Sequence, residues 1–95
     1  MLVVPATAQL NAISHLSLLV NDRNDVPQRV MSTCCRRQGT VVALTLSRGY
    51  DGTAELELAV EVEPRLRRTL IDRIAALVDV LEVRDARGRP LASAA

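Results

Sequence analysis

The 95-residue sequence is nearly without aromatic side chains, since Tyr50 is the only one and phenylalanine and tryptophan are absent. Proteins that recognise single-stranded RNA on a sheet stack its bases on aromatic residues of the central strands, so RNA binding of this kind is not expected. Lysine is also absent, and all twelve basic residues are arginine. The net charge of +1 gives no basic excess that would attract nucleic acid or a membrane surface.

Cysteine and long apolar runs are scarce as well. The two cysteines, Cys34 and Cys35, are adjacent and cannot form a disulfide framework, which suits a reducing cytoplasm, where we expect the protein. No stretch approaches 18 apolar residues, so no membrane span is expected, and Met1–Pro5 lacks the basic region of a signal peptide. Apolar residues make up 48% of the chain, which is typical of one small globular domain with a leucine-, valine- and isoleucine-rich core.

Hydropathy patterns predict six elements in the order β-α-β-β-α-β. Period-two alternation marks strands over 13–20, 40–47, 53–62 and 80–84, and apolar spacings of three and four mark helices between Asp25 and Gly39 and over about 64–77. This order predicts an α+β, ferredoxin-like fold, a four-stranded antiparallel sheet with both helices on one face. The first and third strands are expected at the centre. The predicted organisation is an N-terminal arm at 1–12, the domain at 13–85 and a flexible tail at 86–95.

The ends of the first helix carry recognisable signals. Asp25 is a favourable N-cap, Gln28 stands three residues later as in a capping box, and Pro27 is tolerated in the first turn. Gly39 is expected to end the helix as the residue with a left-handed backbone. The helix is therefore expected to fill its own N-terminal hydrogen-bonding positions with the Asp25 carboxylate.

The sheet face opposite the helices is left without cover in this fold. It is expected to carry Leu19, Val41, Ala43 and Ala59 among polar residues. The second strand would be an edge without a proline, and such an edge is prone to pair with another chain. We expect a homodimer formed through this edge strand, or docking on a partner protein.

Candidate catalytic residues do not form a recognisable site. His15 is the only histidine and lies on a strand, and Cys34 fits the apolar stripe of the first helix. Cys35 has no sequence signal of a nucleophile, and a metal-transport version of the fold would need a Cys-x-x-Cys loop. An acyl-phosphate hydrolase would need a glycine-containing loop beside Arg23, and the loop has none. We therefore expect no catalytic residues and no metal ligands.

The loop Asn21–Asp25 is the remaining functional candidate, because it leads into a helix N-terminus. Free N–H groups and the helix dipole favour anions there, so the carboxylate of a small amino acid could bind. A plain capped turn explains the same residues. The two interpretations stay open on the residues alone.

Several short motifs occur in an order that resembles a known family. Residues 13–85 resemble an ACT domain, and more closely the small regulatory subunit of acetolactate synthase (acetohydroxyacid synthase). That family has a strand, Asn-x-Pro-Gly-Val, Arg-Val, a helix ending in Arg-Arg-Gly-like residues and a Leu-x-Asp-Val-like segment. The counterparts are Leu18-Leu19-Val20, Asp22-Arg23-Asn24-Asp25-Val26, Arg29-Val30, Arg36-Arg37-Gln38-Gly39 and Leu77-Val78-Asp79-Val80.

The resemblance implies a non-catalytic subunit that dimerises, binds the large thiamine-diphosphate-dependent enzyme of branched-chain amino-acid biosynthesis and raises its activity. Thiamine diphosphate, Mg and FAD would belong to the large subunit, and this chain would hold no cofactor. A branched-chain amino acid would be the possible effector, bound at Asp22, Arg23, Asn24, Asp25 and Val26. Two alternatives stay open, an ACT-type amino-acid sensor that serves another enzyme and a stand-alone oligomerisation module.

The loop departs from the family pattern where it matters for an effector. Asn24-Asp25 replaces the Pro-Gly whose glycine lets the backbone approach a bound amino acid. A capping Asp25 carboxylate about 4 Å from a ligand carboxylate would cost about 1 kcal/mol in water and several in a partly buried site. A loss of about 1.4 kcal/mol is tenfold in affinity. We therefore predict weak or absent binding of valine, leucine and isoleucine.

Overall fold

The structure is a computed structural model that describes residues 12–93. Its elements are β1 (Ala12–Asn21), α1 (Val26–Arg36), β2 (Thr40–Arg48), β3 (Thr53–Val62), a 3₁₀ turn (Pro64–Leu66), α2 (Arg67–Ala75), β4 (Val80–Asp85) and β5 (Pro90–Ser93). The second helix therefore begins with a 3₁₀ turn and ends two residues before the predicted boundary. Of the predicted arm at 1–12, all but Ala12 lies outside the described residues. No helix in the described range is long and apolar enough to cross a membrane.

One antiparallel sheet organises the chain, with strand order β2-β3-β1-β4-β5. β1 and β3 occupy the centre and pair along their full length, from Ala12 opposite Val62 to Asn21 opposite Thr53. Among residues 12–93, β2 pairs only with β3 and is an edge strand, as predicted. The structure thus confirms the α+β, ferredoxin-like fold.

Both helices pack on the same side of this sheet because each has one apolar stripe. From α1 the buried residues are Val26, Val30 and Cys34, and from α2 they are Leu70, Ile71, Ile74 and Ala75. They contact the inward-facing residues of the strands, which alternate along each strand with more exposed residues. The inward-facing residues are Leu16, Leu18, Val20, Ala54, Leu56, Leu58, Val60, Val62, Val80 and Val83. The opposite side of the sheet has no covering element among residues 12–93, and we call it the open face.

A fifth strand corrects the predicted sheet and the predicted tail. Within 86–95, expected to be flexible, Pro90–Ser93 form β5 and pair with β4, so β4 is not an edge. The hairpin turns at Gly88, whose φ is +82°, and the Asp85 carboxylate accepts the backbone N–H groups of Arg87 and Arg89 at 2.9 Å each. Leu91 and Ala92 then pack against the core. The segment expected to be flexible forms a strand because Gly88 permits the tight turn and because Leu91 and Ala92 contact the core.

A bulge in β2 corrects the predicted faces of two valines. Val41 pairs with Val60 and Ala43 with Ala59, so Val42 is the extra residue between them. Val41 consequently packs against the core, whereas Val42 is 53% exposed. A strict alternation through β2 predicts the reverse, with Val41 on the open face and Val42 inside. Beyond the bulge Ala43 lies on the open face, as predicted.

The end of α1 is also formed differently from the prediction. Gln38, not Gly39, has the left-handed backbone, with φ of +63°. The Gly39 N–H bonds Cys34 O at 2.8 Å and the Gln38 N–H bonds Cys35 O at 3.4 Å, the two bonds of a Schellman motif. A Cβ atom on Gly39 would lie 3.0 Å from Val60 Cγ2 and 3.2 Å from Cys34 O. Glycine is therefore required at this position for space and not for its backbone angles.

Candidate functional site

The loop Asn21–Asp25, now the β1–α1 loop, lies against the turn between α2 and β4, and Asp79 of that turn is the centre of the contacts. Arg29 Nη2 donates a hydrogen bond to Asp79 Oδ2 at 2.8 Å, and Asn21 Nδ2 donates one to Asp79 Oδ1 at 3.0 Å. Arg23 Nε lies 3.3 Å from the same Oδ1 atom. The Asp79 side chain is only 10% exposed, so one shielded carboxylate joins β1, the loop and α1.

Backbone contacts hold the same turn in place. The Asn21 N–H bonds Asp79 O at 2.8 Å, and Arg29 Nη1 donates to Val78 O at 3.0 Å. Asp79 has a left-handed backbone with φ of +76°, a conformation that aspartate tolerates better than most residues. The turn presents both its carboxylate and its carbonyl to β1 because of this angle.

The predicted site residues are brought together around the loop, with different roles. Asp22 accepts a hydrogen bond from Arg48 Nε at 3.3 Å, and its N–H bonds Gly52 O at 2.9 Å, which ties the loop to the β2–β3 hairpin. Asn24 is exposed, and its side chain makes no hydrogen bond within residues 12–93. Val26 is buried in the core. The loop is therefore anchored on both sides and exposed at Asn24.

The prediction that Asp25 caps α1 with its side chain is wrong. Asp25 has helical backbone angles, φ −91° and ψ −5°, and it makes no side-chain capping hydrogen bond. An N-cap side chain normally reaches its amide from an extended backbone. Its carboxylate pairs instead with Arg29 Nε at 3.1 Å and is 64% exposed. The helix N-terminus is therefore not filled by this carboxylate, and that premise for excluding an effector does not hold.

Charges around the loop balance in pairs. Three carboxylates and three guanidinium groups take part: Asp22, Asp25 and Asp79 with Arg23, Arg29 and Arg48. Hydrogen bonds from Arg29 and Asn21 hold the pKa of Asp79 below its usual value, and the bond from Arg29 has the larger effect. The pKa of Arg29 is raised, first by its hydrogen bond to Asp79. An incoming carboxylate would therefore meet a neutral loop in which each of these arginines already has an acid partner.

Two residues of this site had no functional role in the sequence interpretation. Asp79 was visible in Leu77-Val78-Asp79-Val80, and Arg29 in the Arg-Val motif, but the two are 50 positions apart along the chain. An aspartate just after an apolar helix end is an available signal for a turn with a left-handed residue. Only the packing of α1 beside the α2–β4 turn shows that the two motifs are partners.

A second concave region lies on the open face and has a volume of about 450 Å³. Ala43 and Ala59 are directly opposite each other there, and their small side chains leave room beside His15. Ser17 Oγ donates a hydrogen bond to Glu55 Oε1 at 2.8 Å. The region is open to solvent, its lining is more apolar than polar, and the Ser17–Glu55 contact lies at an exposed position.

The cysteines and the potential metal ligands are the other candidates for chemistry in the described part of the chain. Cys34 is buried, and burial followed by the charge effect of Cys35 raises the pKa of its thiol to about 11. Cys35 is exposed. Among residues 12–93, no group of three or more His, Cys, Asp or Glu side chains is placed to hold a metal ion.

Comparison with known proteins identifies the fold. No family model and no curated protein matches the chain. The crystal structure of the ACT domain of GTP pyrophosphokinase from Chlorobium tepidum matches with a TM-score of 0.64 at 16% identity, over 78% of this chain and 96% of that one. A homoserine dehydrogenase from Thiobacillus denitrificans matches with a TM-score of 0.62 at 15% identity, over 74% of this chain and 15% of that one.

The C-terminal domain of the MgtC protein from Mycobacterium tuberculosis matches as well, with a TM-score of 0.59 at 11% identity, over 76% of this chain and 82% of that one. Identities this low report on the backbone and not on the ligands or partners of each protein. The chain therefore has the ferredoxin-like α+β fold that is found in ACT domains.

Proposed function

We propose that the chain is the non-catalytic small subunit of acetolactate synthase, which binds the large thiamine-diphosphate-dependent subunit and raises its activity. The observation that carries the proposal is a sheet with one open face and a nine-residue edge strand, β2, in a fold shared with ACT domains. The motif order over 13–85 supports the choice of enzyme. Thiamine diphosphate, Mg and FAD stay with the large subunit, and we expect both subunits in the cytoplasm.

Self-association through β2 is the second part of the proposal. After the bulge, Ala43–Arg48 form a regular strand whose outer backbone groups have no partner within residues 12–93. The strand contains neither proline nor lysine, residues that often protect an edge. Two copies paired antiparallel at this edge would form one continuous sheet. The same surface would orient the open faces of both copies towards a partner.

The acetolactate-formation rate of the cognate large subunit tests the main proposal directly. We expect the rate to rise on titration with this chain and to saturate at a fixed subunit ratio. An unchanged rate, together with no co-purification, would refute the role. Sedimentation measurements on the chain alone test the edge pairing separately. A monomer at high concentration would contradict the dimer and would leave the proposed binding to the large subunit untouched.

Charge substitutions on β2 sharpen the test of dimerisation. In an antiparallel pair whose two-fold axis passes near Leu46, Thr45 and Ser47 would lie close to the same residues of the second copy. The double variant Thr45→Arg/Ser47→Arg should weaken the dimer, since like charges across strands destabilise a sheet. The matched control is Ser32→Arg/Thr69→Arg, which adds the same charge at exposed helix positions. Equal dissociation of both variants would exclude β2 as the interface.

An amino-acid sensor for another enzyme is the second candidate, and the uncapped N-terminus of α1 favours it. Asp25 is exposed and turned towards Arg29, so the first helical turn has no side-chain oxygen on its N–H groups. We still expect weak or absent binding of valine, leucine and isoleucine, because Arg23, Arg29 and Arg48 are already paired. Titration calorimetry should show no heat with the native chain, and Asp25→Gly is the comparison. Micromolar binding by the native chain would favour the sensor.

The stand-alone oligomerisation module remains the third candidate. It predicts self-association with neither activation of a large subunit nor a ligand-dependent rise in melting temperature. The three measurements therefore separate the candidates without knowledge of the contact surface.

A further inference from the structure

Three arginines share one depression on the helical side of the molecule. Arg36 and Arg37 at the end of α1 and Arg73 in the last turn of α2 line a cavity of about 230 Å³. Its other lining residues are Thr33, Ala76 and Leu77. We call Arg36, Arg37 and Arg73 the arginine cluster. No carboxylate lies among the lining residues, so positive charge is concentrated there.

The arginine cluster differs from the other arginines in its lack of partners. Eight of the twelve arginines bond or pair with another group: Arg23, Arg29, Arg48, Arg65, Arg67, Arg68, Arg84 and Arg89. Within residues 12–93, the side chains of the three cluster members and of Arg87 make no hydrogen bond or ion pair. Asp72, the neighbour of Arg73, is paired with Arg68 at 3.2 Å. Three of the four unpartnered guanidinium groups thus line a single depression.

Helix ends explain only part of this charge. Arginines in a last helical turn are stabilised by the negative end of the dipole, which is worth about half a charge per helix. Two helix ends therefore offset about one of the three positive charges, and about two remain without compensation. Like charges in one depression repel each other, so a bound anion would lower the energy of the cluster.

We propose that the arginine cluster binds a small molecule that carries a di- or triphosphate group. The planar guanidinium group matches phosphate oxygens with two parallel hydrogen bonds, which a carboxylate offers only once. A di- or triphosphate carries enough oxygens for each of the three guanidinium groups to bind its own pair, whereas a single phosphate would have to share its oxygens among them. Ala76 and Leu77 form an apolar wall that could contact the rest of the molecule. This site is separate from the β1–α1 loop and does not depend on the proposed enzyme partner.

Titration calorimetry of the purified chain with inorganic pyrophosphate and tripolyphosphate tests the site. We expect saturable binding with one site per chain, a dissociation constant below about 1 mM, and tighter binding of tripolyphosphate than of phosphate. Arg36→Gln and Arg73→Gln should each weaken pyrophosphate binding about tenfold, because a charge-assisted hydrogen bond is lost. Circular dichroism and thermal melting would verify that each variant is folded.

The matched control is Arg87→Gln, which removes an equally unpartnered arginine beside the Asp85 carboxylate. Pyrophosphate binding should change less than about twofold in this variant, because Arg87 lies outside the depression. Equal loss in Arg87→Gln and Arg36→Gln would reduce the effect to net charge and overturn the proposal. The absence of saturable pyrophosphate binding, or binding that sulfate at equal ionic strength reproduces, would overturn it as well.

Discussion

Two adjacent residues at the end of α1 should respond to substitution in opposite directions. Gly39→Ala places a Cβ atom 3.0 Å from Val60 Cγ2 and 3.2 Å from the carbonyl oxygen of Cys34. Contacts this close force the neighbours to move. Gln38→Gly instead relieves a side chain held at φ of +63°. The first change should destabilise the fold, and the second should stabilise it.

Both magnitudes follow from the geometry. Overpacking lowers the free energy of unfolding by about 1–3 kcal/mol. Alanine also reduces the conformational entropy of the unfolded chain, which raises the free energy of unfolding by about 0.4–1 kcal/mol. Gly39→Ala should therefore destabilise the fold by about 1 kcal/mol. A left-handed backbone destabilises an L-residue by about 1–2 kcal/mol. Glycine removes this strain, but it also increases the conformational entropy of the unfolded chain, which cancels part of the gain in stability. Gln38→Gly should therefore gain about 0.5–1 kcal/mol. In a domain of this size 1 kcal/mol shifts Tm by about 4–8 °C.

Thermal melting at one fixed protein concentration measures both effects. A double-mutant cycle with Val60→Ala isolates the close contact, since removal of Cγ2 should make Gly39→Ala less costly. A Gly39→Ala variant that is as stable as the native chain would refute the steric explanation. A Gln38→Gly variant that loses stability would refute the conformational one.

Three further predictions concern the Asp79 contacts, β5 and the cysteines. Folding lowers the pKa of Asp79, so the contribution of its carboxylate to stability is present above the unfolded pKa of about 3.9 and is lost as the pH falls through the folded pKa. Urea unfolding should show Asp79→Asn to be less stable than the native chain at neutral pH, with the difference in stability disappearing in acid. A difference that stays constant with pH would contradict this. A chain ending at Arg89 should have a lower urea midpoint because it lacks Leu91 and Ala92, and an unchanged midpoint would mean that β5 contributes nothing. A thiol reagent should modify Cys35 alone in the folded chain, because Cys34 is buried with its pKa raised to about 11, and mass spectrometry of the labelled peptides would reveal any labelling of Cys34.

Local patterns were sufficient for the order of the first four strands and the two helices, and for the two central strands. The alternation of Leu56, Leu58 and Val60 with Glu55 and Glu57 places β3 at the predicted residues, because a strand with one buried face must repeat with period two. The apolar spacings of three and four indicate which faces of the helices are buried for the same reason. The fold class followed from that order, because few topologies accommodate it.

The same patterns failed where a contact between distant segments determines the local conformation. Alternation could not locate the bulge at Val42, since its position depends on the pairing of β2 with β3. Asp25 is a local exception, because it looks like a helix cap but its carboxylate pairs with Arg29, only one helical turn further along the chain. Gly39 looks like the left-handed residue of a helix end, yet its role is to leave room for Val60.

The sequence by itself determined the periodicities of this protein, and with them β1 to β4, the two helices, their buried faces and the half-covered sheet, but not β5. Tertiary structure alone decided that Asp79 would join Asn21, Arg23 and Arg29, and that three arginines from two helices would share one depression. The physical reason is the distance along the sequence over which each interaction acts. Backbone propensity and burial act over neighbouring residues and leave a period in the sequence, whereas a hydrogen bond between Arg29 and Asp79 spans 50 residues and leaves none.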